Sequence, residues 1–96
     1  MNLKELCEKS HSNAVKKGFW KDGRKLPELL MLCVSELGEC LEADRNGDFE
    51  GVKEEISDCF IRLGDMCQAL EIDIEKEIEK KMKINEKRGW KHGKKY

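Results

Sequence analysis

Glu36 with Glu39, and Glu55 with Asp58, form two acidic pairs of three-residue spacing on the two most apolar stretches of the chain. A carboxylate beside a helical core is costly unless something compensates it, and a divalent cation held by several carboxylate oxygens is the usual compensation. Positions i and i+3 share a helix face, so each pair can turn both acids the same way, and two such helices side by side would converge four ligands. At about 100° per residue, Glu36 falls inside the arc of Leu29, Leu32, Cys33, Cys40 and Ala43, with Glu39 at its edge. Glu55, Asp58 and Arg62 line one flank of the arc that Val52, Ile56, Cys59, Leu63, Met66 and Leu70 draw. The spacing therefore predicts a metal site at a helix interface. Chance competes with that reading because 41% of the chain is charged, but two pairs each flanking an apolar stripe weigh against it.

Lys81, Asn85 and Arg88 add a third constellation, stacked at i, i+4 and i+7 on a face that carries Ile74 and Ile78 earlier. Two cations and an amide extending an apolar stripe suit phosphate oxygens, arginine offering a planar fork and lysine a point charge. Lys91, Lys94 and Lys95 beyond them are more simply a solvated basic end that complements the helix dipole. Phe19 and Trp20 sit together in a loop before the acidic helices. There a ring, Trp20 foremost, can stack on a nucleobase or close over the bundle end.

Taken in order, Ser35-Glu36-Leu37-Gly38-Glu39, Glu55-Ile56-Ser57-Asp58 and the stretch from Lys81 to Arg88 resemble the MazG-like family of all-α nucleoside triphosphate pyrophosphohydrolases. The similarity runs from about Lys17-Gly18-Phe19-Trp20 to the C-terminal lysines. It implies an all-α four-helix bundle of the all-α NTP pyrophosphatase type, completed by oligomerisation. It also implies Mg2+, with Mn2+ as a substitute, on Glu36, Glu39, Glu55 and Asp58. The implied reaction cuts a nucleoside triphosphate between its α and β phosphates and serves to clear unwanted nucleotides. In the mechanism that fits, Glu36 or Glu39 takes the proton of the attacking water. Lys81 and Arg88, with Asn85, face the leaving pyrophosphate. Arg62 orients Asp58 or reaches a phosphate, and Asp65 is a weaker candidate ligand. Many members open the first motif with two adjacent acids, whereas Ser35 precedes Glu36 here, which leaves the number of metal ions open.

Composition bounds the answer independently of any family. Ninety-six residues with 39% hydrophobic content make one small domain, 1–96. A chain of this length buries a limited fraction of its surface, so a homodimer or homotetramer is the expected way to complete the core. A net charge of −1 provides no field for a nucleic acid polymer. No apolar run approaches a membrane span and the first residues lack a signal peptide's apolar region, so a cytoplasmic protein is expected. Five cysteines without a CxxC pair are best taken as small core hydrophobes.

The elements that must position these residues are four helices, because apolar spacing is helical throughout and no strand alternation stands out. Helix one is predicted over about Leu3 to Lys17, before Gly18. Pro27 fits the first turn of helix two, which runs to about Arg45 and stops at Asn46-Gly47-Asp48. Helix three spans about Phe49 to Leu70, and Asp73 caps a fourth that ends near Arg88. Gly38 and Gly64 interrupt helices at a cost of about 1 kcal/mol each, which asks for either a close helix approach or room for a ligand.

Two other classes compete with a hydrolase. A non-catalytic helical interaction module would pair its acids with lysines at helical spacing, whereas Glu36, Glu39, Glu55 and Asp58 lie among apolar residues. A di-iron carboxylate bundle calls for Glu-x-x-His pairs, and neither histidine follows a glutamate by three.

Overall fold

Three helices of this chain begin on a side chain that accepts a free backbone amide of the first turn. Asn2 accepts from Glu5 N at 2.8 Å, Asp48 from Gly51 N at 2.9 Å, and Asp73 from Lys76 N at 3.2 Å. Each contact satisfies one of the donors that a helix start leaves without an intrahelical partner. The computed structural model, which describes all 96 residues, accordingly has α1 at Leu3–Lys16, α2 at Leu26–Arg45, α3 at Phe49–Ala69 and α4 at Ile74–Glu86. Pro27 occupies the first turn of α2, where its missing N–H costs nothing. Gly18 and Gly47, both at positive φ, end the turns after α1 and α2. A short 3-10 turn at Trp90–Gly93 follows α4, and there is no strand. The protein is thus an all-α, four-helix fold.

Helix α3 is the hub, with α1 and α2 packed on it and α4 resting mainly on α1. Gly64 explains the close approach of α1 and α3. A Cβ there would lie 3.3 Å from Ser10 Oγ, 3.4 Å from Leu6 Cγ and 3.5 Å from Cys7 Cα. Gly38 differs, since a Cβ at that position would meet nothing within 4 Å; helix packing does not account for it.

The buried centre is small and built of slim side chains: Cys7 from α1, Leu29 and Cys33 from α2, and Met66 and Cys67 from α3. All five cysteines are free, and Cys40 and Cys59 are half-buried. Burial pushes the Cys33 and Cys67 thiols up, which keeps them protonated and suits a packing role. No helix is long and apolar enough to cross a membrane.

Candidate metal centre and adjoining cavity

Helices α2 and α3 run side by side, so an acid on the inner edge of one faces an acid on the inner edge of the other. Glu36, Glu39 and Glu55 meet in this way: each offers a carboxylate oxygen, and the three oxygens lie within 4.8 Å of one another. Glu36 is buried, Glu55 half-buried and Glu39 exposed, so the group opens to solvent on one side.

Three carboxylates at this separation cannot all remain charged without help. Arg62 provides part of it, donating from Nε to Glu36 Oε1 at 2.7 Å across the helix pair. That hydrogen bond holds the Glu36 carboxyl below the usual carboxylate range. The strain falls on Glu55. Hydrogen bonding to Glu36, and then to Glu39, favours its protonated form, and its pKa is pushed up to about 7. Glu55 Oε2 is itself occluded and accepts no hydrogen bond from the protein. Such an oxygen calls for a proton, a water or a cation to satisfy it. An all-oxygen, all-carboxylate donor set suits a hard divalent cation of the Mg2+ or Mn2+ kind rather than a thiophilic metal.

Asp58, the fourth acid of the sequence pattern, lies outside this trio. Its carboxylate is exposed and turns to a neighbouring cavity of about 280 Å³, whose wall Glu36 and Arg62 share. Three of the four acids therefore converge, and Glu36 joins the trio to the cavity. Arg62 pairs with Glu36 rather than with Asp58. Glu39, Glu55 and Asp58 make no ion pair with any lysine or arginine.

The rest of the cavity wall comes from Ser10, Asn13 and Ala14 of α1, Phe19 and Arg24 of the loop, Leu29 and Leu32 of α2, and Ile61 and Asp65 of α3. Arg24 donates from Nε to the Phe19 carbonyl at 2.6 Å and places its guanidinium over the Phe19 ring, 5.3 Å from the centroid. Asp65 is a structural anchor. One of its oxygens lies 2.7 Å from His11 Nδ1, and it accepts from Trp20 Nε1 at 2.9 and 3.2 Å. His11 and Trp20 meet edge to face, with centroids 5.2 Å apart. Trp20 is thereby tied down behind the cavity, and Phe19 is the aromatic ring that reaches its wall. Sequence reasoning missed Arg24, Asn13 and the contacts of Asp65 with His11 and Trp20. Asp65 lies 54 positions from His11 and 45 from Trp20 in sequence, so no spacing rule could have found these contacts.

Lys81, Asn85 and Arg88 stand apart from the cavity wall within one chain. They lie on or just beyond α4, with Lys81 and Arg88 exposed and Asn85 half-buried. The Asn85 Oδ1 atom is occluded and unpaired.

Comparison of the chain with protein-family models, with curated proteins and with solved structures found no match. The functional reading therefore rests on the residues and their geometry.

Proposed function

We propose that this chain is a Mg2+-dependent nucleoside triphosphate pyrophosphohydrolase of the MazG-like kind, working as a homodimer or homotetramer in the cytoplasm. The observation that carries this reading is the meeting of Glu36, Glu39 and Glu55 at the edge of a cavity, with Glu55 Oε2 occluded and unpartnered. An ion held there would polarise phosphate oxygens and make an attacking water more acidic. Mn2+ would substitute.

The chain's own residues then divide the work. Glu36, with Oε1 committed to Arg62 and its carboxyl held low, is a ligand rather than a proton acceptor. Glu39, exposed at the open side of the trio, is left to take the proton of the water. That water adds across the α–β anhydride bond and yields the monophosphate and pyrophosphate. Asp58, on the cavity wall, would join the ligand set only by turning toward the trio. The cavity beside the trio takes the base and sugar, with Phe19 as the stacking ring, Asn13 and Ser10 as polar contacts, and Trp20 fixing the loop. Arg62 and Arg24 are the cations that line this cavity. Lys81, Asn85 and Arg88 are not part of this cavity in their own chain and would reach a leaving pyrophosphate only from α4 of a neighbouring subunit.

A non-catalytic interaction module is the alternative, and the burial of the acids separates the two. Acids that serve a partner protein stay exposed, as Glu50 is beside Lys53, whereas Glu36 is buried and Glu55 half-buried where α2 and α3 meet. The deciding experiment incubates the protein and Mg2+ with a panel of ribo- and deoxyribonucleoside triphosphates and resolves pyrophosphate from orthophosphate. Pyrophosphate and monophosphate in equal amounts are expected. Orthophosphate as the first product, or no turnover of any triphosphate, overturns the proposal.

A further inference from the structure

Arg24 is a cation that the fold holds in place without using up its hydrogen-bonding capacity. Its side chain is only 14% exposed, and the Glu28 carboxylate oxygen nearest to it lies 4.0 Å from Nη1, beyond hydrogen-bond reach. Nε donates to the Phe19 carbonyl, and the guanidinium sits over the Phe19 ring, so two contacts fix its plane. Neither Nη1 nor Nη2 donates to the protein, and both remain accessible beside the cavity that Arg24 lines. Anchoring the loop needs only the Nε contact. Burying a cation with most of its N–H donors free is costly unless a ligand takes them.

The cavity has two ends. Its wall follows α2 from Glu36 through Leu32 to Leu29, and α3, which returns antiparallel after the turn at 46–48, from Asp58 through Ile61 to Asp65. Glu36 marks the end that adjoins the acidic trio. Phe19 and Arg24 mark the other, where Asp65 holds Trp20 and with it the loop. Leu29 and Glu36 are two turns apart along α2, about 10 Å at the helical rise, which is the scale of a sugar and base beyond a phosphate. Of the polar groups around the far end, Ser10 and Asn13 carry both donors and acceptors and tolerate either kind of partner. Asp65 is engaged by His11 and Trp20. Arg24 alone offers donors only, and it alone can select.

We propose that Arg24 reads the base of the nucleotide and selects an edge with two adjacent acceptors: O6 and N7 of guanine, or O2 and N3 of cytosine. The inference rests on the nucleotide reading of this cavity and adds which bases it takes. A planar fork of donors meets two neighbouring acceptors bidentately, and such pairing is how arginine distinguishes guanine from other bases. Adenine sets an amino group beside its N7, and thymine and uracil set an N–H between their carbonyls. Each of these would turn a donor toward Arg24 and leave part of the fork unpaired, the loss by which a polar site rejects a wrong ligand. The Phe19 ring under the guanidinium keeps the fork from turning to suit them.

Binding and hydrolysis are measured separately, so that failure of this inference can be told from failure of the hydrolase reading. Calorimetric titration with α,β-methylene analogues of dGTP, dCTP, dATP and dTTP in Mg2+ gives affinity without turnover, and initial rates with the natural triphosphates give kcat/KM. The dGTP or dCTP compound should exceed those of dATP and dTTP by roughly 10- to 100-fold in both measurements. Arg24→Met should bring that ratio close to one, and Arg24→Lys, which keeps the charge and loses the fork, should do the same. The ratio is taken within each protein, so a variant weakened by loss of the Phe19 contact still reports it, and Arg24→Lys carries the test if Arg24→Met loses its helical signal. An equal loss for all four nucleotides in the variants would mean that Arg24 holds phosphate, and it overturns the inference. Wild-type indifference to the base, or a preference that survives both substitutions, does so too. Preferential binding without hydrolysis upholds the role of Arg24 and overturns the hydrolase reading alone, whereas no binding of any analogue overturns both.

Discussion

Glu55 holds more protons folded than unfolded near neutral pH, since its pKa rises from 4.5 to about 7 on folding. By linkage the metal-free protein loses stability as pH climbs from about 4.5 through 7, where the folded group must give up its proton among other carboxylates. Glu36 acts in the opposite sense. Its lowered pKa contributes stability that is present above 4.5 and is lost as pH falls through the folded value. Apo Tm should therefore peak near pH 4.5, decline to about pH 7 and level off above it, and added Mg2+ should reverse the decline by taking the place of the proton. Thermal melts across that range, with and without Mg2+, check it. Glu55→Gln should flatten the decline and raise apo Tm at pH 8 while abolishing any Mg2+ response. Arg62→Met tests the other side of the trio. It leaves buried Glu36 without its donor and should lower stability by about 1–2 kcal/mol, a loss that denaturant melts at pH 7 would show and that acid pH should shrink as Glu36 protonates.

Two glycines separate packing from ligand space at the scale of elements. Gly64 lies against Leu6, Cys7 and Ser10 of α1, so Gly64→Leu should push α1 off α3 and lower stability by about 1–3 kcal/mol. Gly38 faces open space at ordinary helical φ. Gly38→Ala should raise stability by about 0.5–1 kcal/mol through helix propensity. Should the open space beside Glu36 and Glu39 serve a ligand or a neighbouring helix, the same variant would lose activity or assembled mass despite its higher Tm. The Asp65 carboxylate works at this scale too, tying α3 to α1 through His11 and to the connecting loop through Trp20. That loop carries Phe19 and Arg24 of the cavity wall, so one side chain fixes where three elements meet.

The whole molecule is unevenly held. Helices α1, α2 and α3 share the buried side chains, whereas α4 has no buried residue and touches mainly α1. Backbone amides of α4 should therefore exchange with solvent faster than those of α3 around Gly64 to Cys67 when the protein is diluted. Hydrogen exchange at high and low protein concentration would measure this, and protection of α4 that grows with concentration would place it in the assembly. The exposed Ile78, Met82 and Ile84 of α4 give such protection a physical source.

Periodicity and end signals were enough to place the helices, because a helix is closed by residues that are neighbours in sequence. Pro27, Gly18, Gly47 and Asp73 mark ends that fall within one or two residues of the expected ones, and the prediction of four helices without a strand held. The convergence of Glu36, Glu39 and Glu55 was also legible, since i and i+3 spacing on two adjacent helices leaves few other ways to bury an apolar stripe. What spacing could not decide was where each pair points once the helices pack. Asp58, with a shorter side chain than the three glutamates, turns to the cavity, and Arg62 crosses to Glu36 instead of staying beside it. Nor could spacing show that Asp65 serves His11 and Trp20, or that α4 carries Lys81, Asn85 and Arg88 away from the cavity of its own chain. Those outcomes depend on contacts between residues distant in sequence, and they are set by the angle and distance at which whole helices meet.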